Sequence, residues 1–411
     1  MSPAHSALAK SWKRLDGVDL IRGIAILFVL MNHVNMQLLF ARVPYTQGLP
    51  KQLVSSLVWN GQFGVQMFFA VSGFLITSTT LRRWGSPDKV RPRDFYLLRF
   101  ARIAPLLLLL LAVLSALHLA HVEHFVVHPR TGGLGAALLA ALTFRVNVLE
   151  ATRGYLPGNW DILWSLSVEE TFYLFFPLAG KLFGRGKLLV ALLLGFVVLG
   201  PFGRTVLAHG NPVWHEYSYL GAMDAIALGC LTALLIAHLH LARKQLWICG
   251  IFGAMLVTFI LGFSRTAYAW GLERNGLDMT ILAVGTCLLI AVSAETQWRG
   301  PRIFAPIFWL GRRSYEVYLT HMFLVIAVFG LFVSLGKPLA AVPALFVTVI
   351  VLSGLLGDVV ARFYSEPMNT YLRNKVGDGA DRLGSVVDRS AEGQPEETAP
   401  SLATQSGHYH S

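Results

Sequence analysis

Long apolar stretches dominate this chain, and polar residues mark the breaks between them. Several stretches approach twenty residues with almost no charge, for example 103–118 and 248–263. An α-helix needs about 20 apolar residues to cross the hydrocarbon core of a bilayer. The pattern therefore predicts an all-α polytopic membrane protein with about ten transmembrane helices. We place these helices at 20–39, 60–80, 99–119, 162–182, 187–205, 218–240, 245–263, 277–295, 315–334 and 340–362.

Composition and charge support this interpretation. Of the 411 residues, 55% are hydrophobic and only 14% are charged, whereas soluble domains carry about 25% charged residues. With the N-terminus inside, 25 of the 34 Lys and Arg residues fall on the cytoplasmic side, which is the bias of the positive-inside rule. We therefore assign the net charge of +11 to cytoplasmic loops and expect no nucleic-acid partner. Both termini are predicted to be cytoplasmic.

The predicted spans divide the chain into three parts. Residues 1–19 form a cytoplasmic N-terminal segment, and residues 20–376 form the transmembrane domain. Residues 377–411 are polar, contain Pro, Gly and Ser, and have almost no aromatic residues. Such a segment cannot bury enough apolar surface to fold by itself, so we predict a disordered cytoplasmic tail.

Ionisable side chains inside a predicted span are candidates for function, because a charge in lipid costs a few kcal/mol or more. The first span contains Arg22, Asn32 and His33. Arg22 and His33 are three helical turns apart, so they share one face and lie about 16 Å apart along the axis. His33 is then close to the middle of the membrane. The alternative is a structural histidine that only bonds a neighbouring helix.

Two arginines, Arg99 and Arg102, are one turn apart and face the same way at the predicted cytosolic start of the third span. Guanidinium groups on one face, with Arg22 at the same depth, favour a phosphate site. The predicted ligand is a phosphorylated cytosolic molecule such as a nucleotide or coenzyme A. The alternative is that the two arginines only anchor the helix by the positive-inside rule.

Two adjacent carboxylates, Glu169 and Glu170, occur in the stretch WSLSVEETFYLFFP of the fourth span. They point about 100° apart, so one can face the interior of the bundle. We predict that this carboxylate lies at the depth of His33 and orients the imidazole as a general base. The alternative is a structural ion pair with one of the buried basic groups.

Two weaker signals leave alternatives open. The stretch FGVQMFFAVSGFLITS places Gly64, Ser72 and Gly73 at helical spacing, which favours either close helix packing or the approach of a ligand to the backbone. The four histidines of HLAHVEHFVVH have spacings that suit zinc, but we prefer the end of an interfacial helix and predict no metal site. These histidines are His118, His121, His124 and His128.

Six of these motifs, in this order, resemble the membrane-bound acyltransferase-3 family, which includes bacterial O-acetyltransferases of lipopolysaccharide O-antigen, Nod factor and macrolides. The resemblance covers about residues 15–372. It implies ten core transmembrane helices in the bacterial inner membrane, a cytosolic acyl-coenzyme A donor and O-acylation of a carbohydrate-like hydroxyl at the outer side. The motifs are Arg22-x10-His33, GVQMFFAVSGFLI, Arg99-x2-Arg102 followed by IAP, WSLSVEETFYLFFP, SYEVYLTH and SEP.

The resemblance also implies roles for single residues. His33 is expected to be the catalytic histidine, and Arg99 and Arg102 the donor-binding pair. Glu169, Glu170 and Ser72 are expected in the active-site region. The residues themselves predict that Arg22 also belongs to the donor site and that Glu170 orients His33 as a general base. The remaining motif residues expected to line the substrate cavity are Asn32, Trp164, Tyr173, Tyr315 and His321.

The predicted activity is therefore transfer of an acyl group, most simply acetyl, from acetyl-coenzyme A as co-substrate to a polysaccharide or glycoconjugate hydroxyl. No permanently bound cofactor is expected. A secreted metabolite such as a macrolide is an alternative acceptor. Buried Arg, His and Glu also suit a proton-coupled secondary transporter, although the chain shows no inverted repeat.

By resemblance, many members of the family carry an esterase-like periplasmic domain after the membrane domain, and we expect none after residue 376 here. We expect either the membrane domain itself or a separate periplasmic partner to handle the acceptor.

Overall fold

A computed structural model of the protein describes residues 14–184 and 187–375. It is 81% helix, and no strand occurs among the described residues. The predicted tail 377–411 and the first 13 residues of the predicted N-terminal segment lie outside this part of the chain. The helices, in chain order, are α1 (Asp16–Phe40), α2 (Lys51–Val58), α3 (Gly61–Trp84), α4 (Pro92–Leu119), α5 (Gly133–Leu142), α6 (Val146–Arg153), α7 (Gly158–Asp161), α8 (Leu163–Phe183), α9 (Leu188–Arg204), α10 (Pro212–Tyr217), α11 (Tyr219–His238), α12 (Arg243–Gly262), α13 (Ser264–Ala269), α14 (Leu277–Thr296), α15 (Ala305–Arg312), α16 (Ser314–Ser334) and α17 (Val342–Val360).

Eight helices in the described part of the chain are long and apolar enough to cross a membrane, so the protein is a multi-pass membrane protein. They are α1, α3, α4, α11, α12, α14, α16 and α17, of which α11 is preceded by α10 and α17 runs on to residue 375. The other two predicted spans are also helical. α8 carries Glu169, Glu170 and Lys181, and α9 has only 17 residues. We call the end where α1 begins the cytosolic end, following the predicted orientation, and the opposite end the outer end.

The predicted start of the third span is wrong by seven residues, because α4 begins at Pro92. Proline at the first helical position and Asp94 in the first turn are typical helix-start residues. Asp94 also pairs with Arg91 at 2.8 Å. Arg99 and Arg102 therefore do not open the helix, and they lie about two and three turns inside it.

Small residues let the central helix α3 approach its neighbours closely. Gly64 faces the backbone oxygen of Ala25 on α1, and Gly73 faces that of Ile226 on α11, so that a Cβ at either glycine would collide. Small residues at helix contacts permit this approach in membrane proteins. The packing alternative is thus correct for both glycines. Ser72 is rotated by about 100° from Gly73 and faces α8.

A buried ion pair connects four helices near the outer end. Arg204 of α9 binds Asp224 of α11 through both carboxylate oxygens, at 3.1 and 2.8 Å. Gln66 of α3 donates to the same carboxylate at 3.1 Å, and Thr280 of α14 accepts from Arg204 at 2.6 Å. Arg204 and Asp224 are 4% and 0% exposed. Asp224 therefore has a structural role in this ion pair.

A second ion-pair group lies at the cytosolic end. Arg313 donates to Asp358 at 2.8 Å and also to Glu366 of the SEP motif. Arg362 binds Asp358 at 2.7 Å. The chain between Asp358 and Glu366 passes through a π-helical turn, Ala361–Ser365. These contacts tie the last helix to the start of α16.

Candidate active site

A cavity of about 360 Å³ opens at the cytosolic end between α3, α4, α8 and α16. Its deep end reaches Val65, Phe68 and Ser165, which lie near the outer ends of their helices. Two carboxylates and several arginines line it, so its wall is positive. The charged residues of the wall are Arg22, Arg83, Arg99, Arg102, Glu169, Glu170 and Arg373.

Glu170 binds Arg99 and not His33, so the predicted pairing of Glu170 with the histidine is wrong. Arg99 Nη2 donates to Glu170 Oε1 at 2.7 Å and lies 3.7 Å from Glu169 Oε1. Its guanidinium lies 3.6 Å from the centre of the Tyr173 ring. Because α4 begins at Pro92, Arg99 lies about two turns inside the helix and reaches the level of Glu169 and Glu170. A full opposite charge in a buried site stabilises a carboxylate far more than an imidazole does.

Glu169 joins α8 to α3 through two hydroxyl groups. Tyr173 OH donates to Glu169 Oε1 at 2.7 Å, and Ser72 Oγ donates to the same oxygen. The two hydroxyls also touch each other. This arrangement places Ser72 in the cavity wall, as predicted for the active-site region, and fixes the carboxylate that stands beside Arg99.

The SYEVYLTH helix α16 forms another wall of the cavity, as its motif predicted. Arg22 Nε donates to Ser314 Oγ at 3.1 Å. Arg102 Nη1 is 3.7 Å from Glu316 Oε1, and its guanidinium lies 5.1 Å from the centre of the Tyr315 ring. Arg22, Arg99 and Arg102 thus line one cavity, which is the clustering that the sequence predicted.

His33 and His321 form a pair, with ring centres 5.0 Å apart. His321 is fully buried, and its Nδ1 lies 2.7 Å from the main-chain oxygen of Tyr318. A carbonyl oxygen only accepts, so Nδ1 carries the proton and Nε2 keeps its lone pair in the neutral ring. That Nε2 has no hydrogen-bond partner among residues 14–184 and 187–375. The neighbour of His33 is therefore a second imidazole in a fixed tautomer.

Tyr318 separates the histidine pair from the cavity. Its ring centre lies 5.9 Å from that of His321 and 6.3 Å from that of Phe68. Its hydroxyl lies 2.7 Å from Ser165 Oγ at the deep end of the cavity. Arg22 and His33 both contact α16, at Ser314 and His321, so they share a face as predicted.

Of the five predicted cavity residues, two line the cavity and three do not. His321 is one of these three, because Tyr318 lies between it and the cavity. Trp164 is buried and stacks on Tyr217, with ring centres 4.1 Å apart, so it packs in the core. Asn32 lies against Gly61, where a Cβ would collide with its amide. Tyr173 and Tyr315 line the cavity as predicted.

The cavity is also lined by four residues that were not predicted as site residues, namely Arg83, Arg373, Ser165 and Tyr318. The two arginines had only counted as cytosolic charges. Nothing in their local sequence distinguishes them from neighbours such as Arg82.

Comparison with known proteins decides the family. A family model described as "Acyltransferase domain" matches residues 15–358. The chain belongs to this acyltransferase family. No solved structure matches it.

Among its relatives, this acyltransferase is similar to "Peptidoglycan O-acetyltransferase OatA" of Listeria monocytogenes, with 24% identity over 76% of this chain and 49% of the relative. It is 24% identical to "O-acetyltransferase OatA" of Staphylococcus aureus over 86% of this chain and 57% of the relative. "Putative peptidoglycan O-acetyltransferase YrhL" of Bacillus subtilis is 25% identical over 75% of this chain and 48% of the relative. The chain spans about half the length of these relatives.

The histidine-rich stretch of the acyltransferase contributes to a loop. His118 Nδ1 accepts from the Val127 amide at 2.9 Å, and His128 Nδ1 accepts from the Arg130 amide at 3.1 Å. His118 belongs to the last turn of α4. These contacts favour the helix-end interpretation of the stretch.

Two carboxyl groups meet beside the outer end of α8. Glu150 Oε1 accepts from the Leu156 amide at 3.0 Å, and Asp161 Oδ1 accepts from Tyr217 OH at 3.2 Å. Burial raises the pKa of both groups, and the charge of Asp161 raises the pKa of Glu150 further. Two buried carboxyl groups that repel each other disfavour the state in which both are charged. The pair therefore retains a proton that the separated groups lose.

This pair makes the stability of the folded protein depend on pH. Above about pH 4 the unfolded chain releases protons that the folded pair retains, so stability falls as the pH rises. The slope is about 1.4 kcal/mol per pH unit for each proton retained. We expect Glu150→Gln, which keeps the shape, to make this decline shallower in thermal unfolding between about pH 4 and 8. Glu123→Gln, at an exposed outer position, is the control. Parallel curves for wild type and Glu150→Gln contradict the shared proton.

Proposed function

We propose that this protein transfers an acyl group, most simply acetyl, from cytosolic acyl-coenzyme A to a carbohydrate hydroxyl at the outer side of a bacterial inner membrane. The proposal is carried by one observation. A cavity with a group of arginines at its cytosolic mouth ends at Tyr318, and the histidine pair lies directly behind this residue.

The arginines suit the phosphates of coenzyme A. Five guanidinium groups line the cavity against two carboxylates, so a net positive charge is left for a polyanion. Arginine binds phosphate through paired N–H groups. The extended pantetheine arm then lies along the cavity, with the thioester towards Ser165 and Tyr318.

The histidine pair suits proton transfer. His33 takes the proton of the acceptor hydroxyl as its oxygen attacks the thioester carbonyl. The new C–O bond forms, the C–S bond breaks, and the proton passes to the leaving thiolate of coenzyme A. His321 holds its lone pair on Nε2 beside His33. Glu170 does not take part in this proton transfer, and its charge fixes Arg99.

The names of the relatives support a carbohydrate acceptor. Two of them carry names that specify peptidoglycan, which makes the hydroxyl of a cell-wall glycan the first acceptor to test. The predicted orientation places that glycan at the outer end and the donor at the cytosolic end.

The test uses purified protein in detergent with radiolabelled acetyl-coenzyme A. Release of coenzyme A is followed with and without a crude glycan extract of the cell envelope. Glycan-stimulated release with a labelled glycan product is the expected result. Folded protein that neither binds the donor nor releases coenzyme A contradicts the proposal and favours a carrier.

Arg102 supplies a prediction for donor binding. We expect Arg102→Ala to weaken acetyl-coenzyme A binding about 10- to 100-fold, because a charged hydrogen bond contributes about 1.5–3 kcal/mol. Thermal stability is measured in parallel, because Arg102 is partly exposed but lies 3.7 Å from the buried Glu316. Arg82→Ala removes a cytosolic arginine that does not line the cavity, and it should bind the donor normally. Equal affinity of Arg102→Ala and wild type in calorimetry excludes Arg102 from the donor site.

A further inference from the structure

A second cavity, of about 910 Å³, opens at the outer end of the molecule. It lies between α2, the first turns of α3, α10, and the segment 264–279. Sites for small molecules typically measure about 300–1,000 Å³, so this cavity has room for more than one sugar ring.

The floor of the outer cavity is rigid and electrically balanced. Gln66 and Arg204 line it, and both bind Asp224. Each of the three side chains is at least 95% buried. A fixed floor of satisfied polar groups holds its shape for a ligand without attracting an ion.

The walls of the outer cavity alternate aromatic faces with groups that donate or accept hydrogen bonds. Trp59 and Tyr268 are 50% and 65% exposed. Three carboxylates and two cations line the cavity, and the charge of Arg204 is balanced by Asp224. The net charge of the lining is therefore close to zero. These charged residues are Lys51, Glu216, Arg265, Glu273 and Asp278.

This chemistry differs from that of the cytosolic cavity, where arginines outnumber carboxylates. A sugar presents hydroxyls that both donate and accept, and its C–H face packs on an aromatic ring. A polyanion, in contrast, gains little from a wall with balanced charge. The outer cavity therefore suits a neutral carbohydrate.

The outer cavity adjoins a contact between α3 and α1. Asn60 lines it, and the next residue, Gly61, contacts Asn32 on α1. Asn32 precedes His33, whose side chain is only partly buried. This contact connects the wall of the outer cavity to α1 one residue before the proposed base, His33.

We infer that the outer cavity is the acceptor site and binds a neutral glycan through Trp59, Tyr268 and Glu273, an inference that rests on the proposed transfer to a carbohydrate. Trp59 and Tyr268 cover the faces of sugar rings, and the carboxylates accept from their hydroxyls. The aromatic residues thus act as more than anchors at the membrane surface.

The test measures glycan binding to the full-length protein by calorimetry, without donor. The probe is a β-1,4-linked tetrasaccharide of N-acetylglucosamine. We expect Trp59→Ala to weaken its binding about tenfold or more, and Glu273→Gln to weaken it as well. Trp270→Ala is the matched control, because Trp270 is 68% exposed on the same segment and packs on Phe259 outside the cavity. Acetyl-coenzyme A binding should be unchanged in all three variants.

Two results overturn the inference. One is wild-type glycan affinity in Trp59→Ala and Glu273→Gln. The other is wild-type protein that binds acetyl-coenzyme A but not the tetrasaccharide. Failure of the proposed function itself looks different, because wild type then fails to bind or use acetyl-coenzyme A. A tetrasaccharide of galacturonic acid that binds as tightly as the neutral probe contradicts the assignment to a neutral ligand.

Discussion

His33→Ala will lose glycan-stimulated release of coenzyme A while the protein still inserts and folds. A positioned general base contributes about 10²- to 10⁴-fold to a reaction rate, and we expect a loss within or above that range. The reason is geometric. His33 is the imidazole on α1 that lies 5.0 Å from His321 and beside the contact of Asn32 with Gly61. Release rates with radiolabelled acetyl-coenzyme A, compared at equal amounts of folded protein, provide the measurement.

Two further variants make this result specific. His209→Ala removes an exposed histidine of an outer loop and should release coenzyme A like wild type. Donor affinity of His33→Ala should stay close to that of wild type, because the arginines of the cavity remain. If His33→Ala turns over normally and His321→Ala does not, the base is His321 and the assignment of His33 is wrong.

Arg204→Met will be the most destabilising substitution among the charged residues discussed here. It leaves Asp224, which is 0% exposed, without its cation. Removing one partner of a buried ion pair typically costs about 3–5 kcal/mol. The expected result is a clear drop in the midpoint of thermal unfolding, measured in detergent on purified protein.

The double variant Arg204→Met/Asp224→Leu is the control for this prediction. Replacing a whole buried pair with apolar residues is often neutral or stabilising, so the double variant should recover stability. Arg91→Met removes the exposed partner of Asp94 and should cost less than about 1 kcal/mol. Thr280 Oγ1 also donates to Asp224 Oδ2. A single variant as stable as wild type therefore means that Gln66 and Thr280 alone satisfy the carboxylate.

Apolar periodicity predicted the helices well because each span depends mainly on its own composition. The predicted span 277–295 and the observed Leu277–Thr296 differ by one residue. The start of α4 was missed because the charges of Arg91, Arg93 and Asp94 lie around it, and charge alone indicates a loop. Proline at the first helical position and Asp94 in the first turn were the signals that mark this start.

The sequence predicted which residues share a face of one helix, but it did not predict which side chains pair between two helices. Arg22 and His33 share a face because the helical period fixes it. Whether Glu170 meets His33 or Arg99 depends on how far α8 is shifted along α4, which no single helix determines. The same holds for Ser72 and Gly73, which are adjacent in sequence but contact different helices.

The partition formed by Phe68, Tyr318 and the histidine pair has a consequence for the cell. Cavities that enter a membrane protein from both ends leave only a thin layer of side chains to resist the flow of ions. In that layer the Tyr318 ring centre lies 6.3 Å from that of Phe68 and 5.9 Å from that of His321, which is fully buried. Under the proposed function, an acyl group then passes from the donor to the acceptor while ions do not follow it, and the electrochemical gradient across the bilayer is preserved.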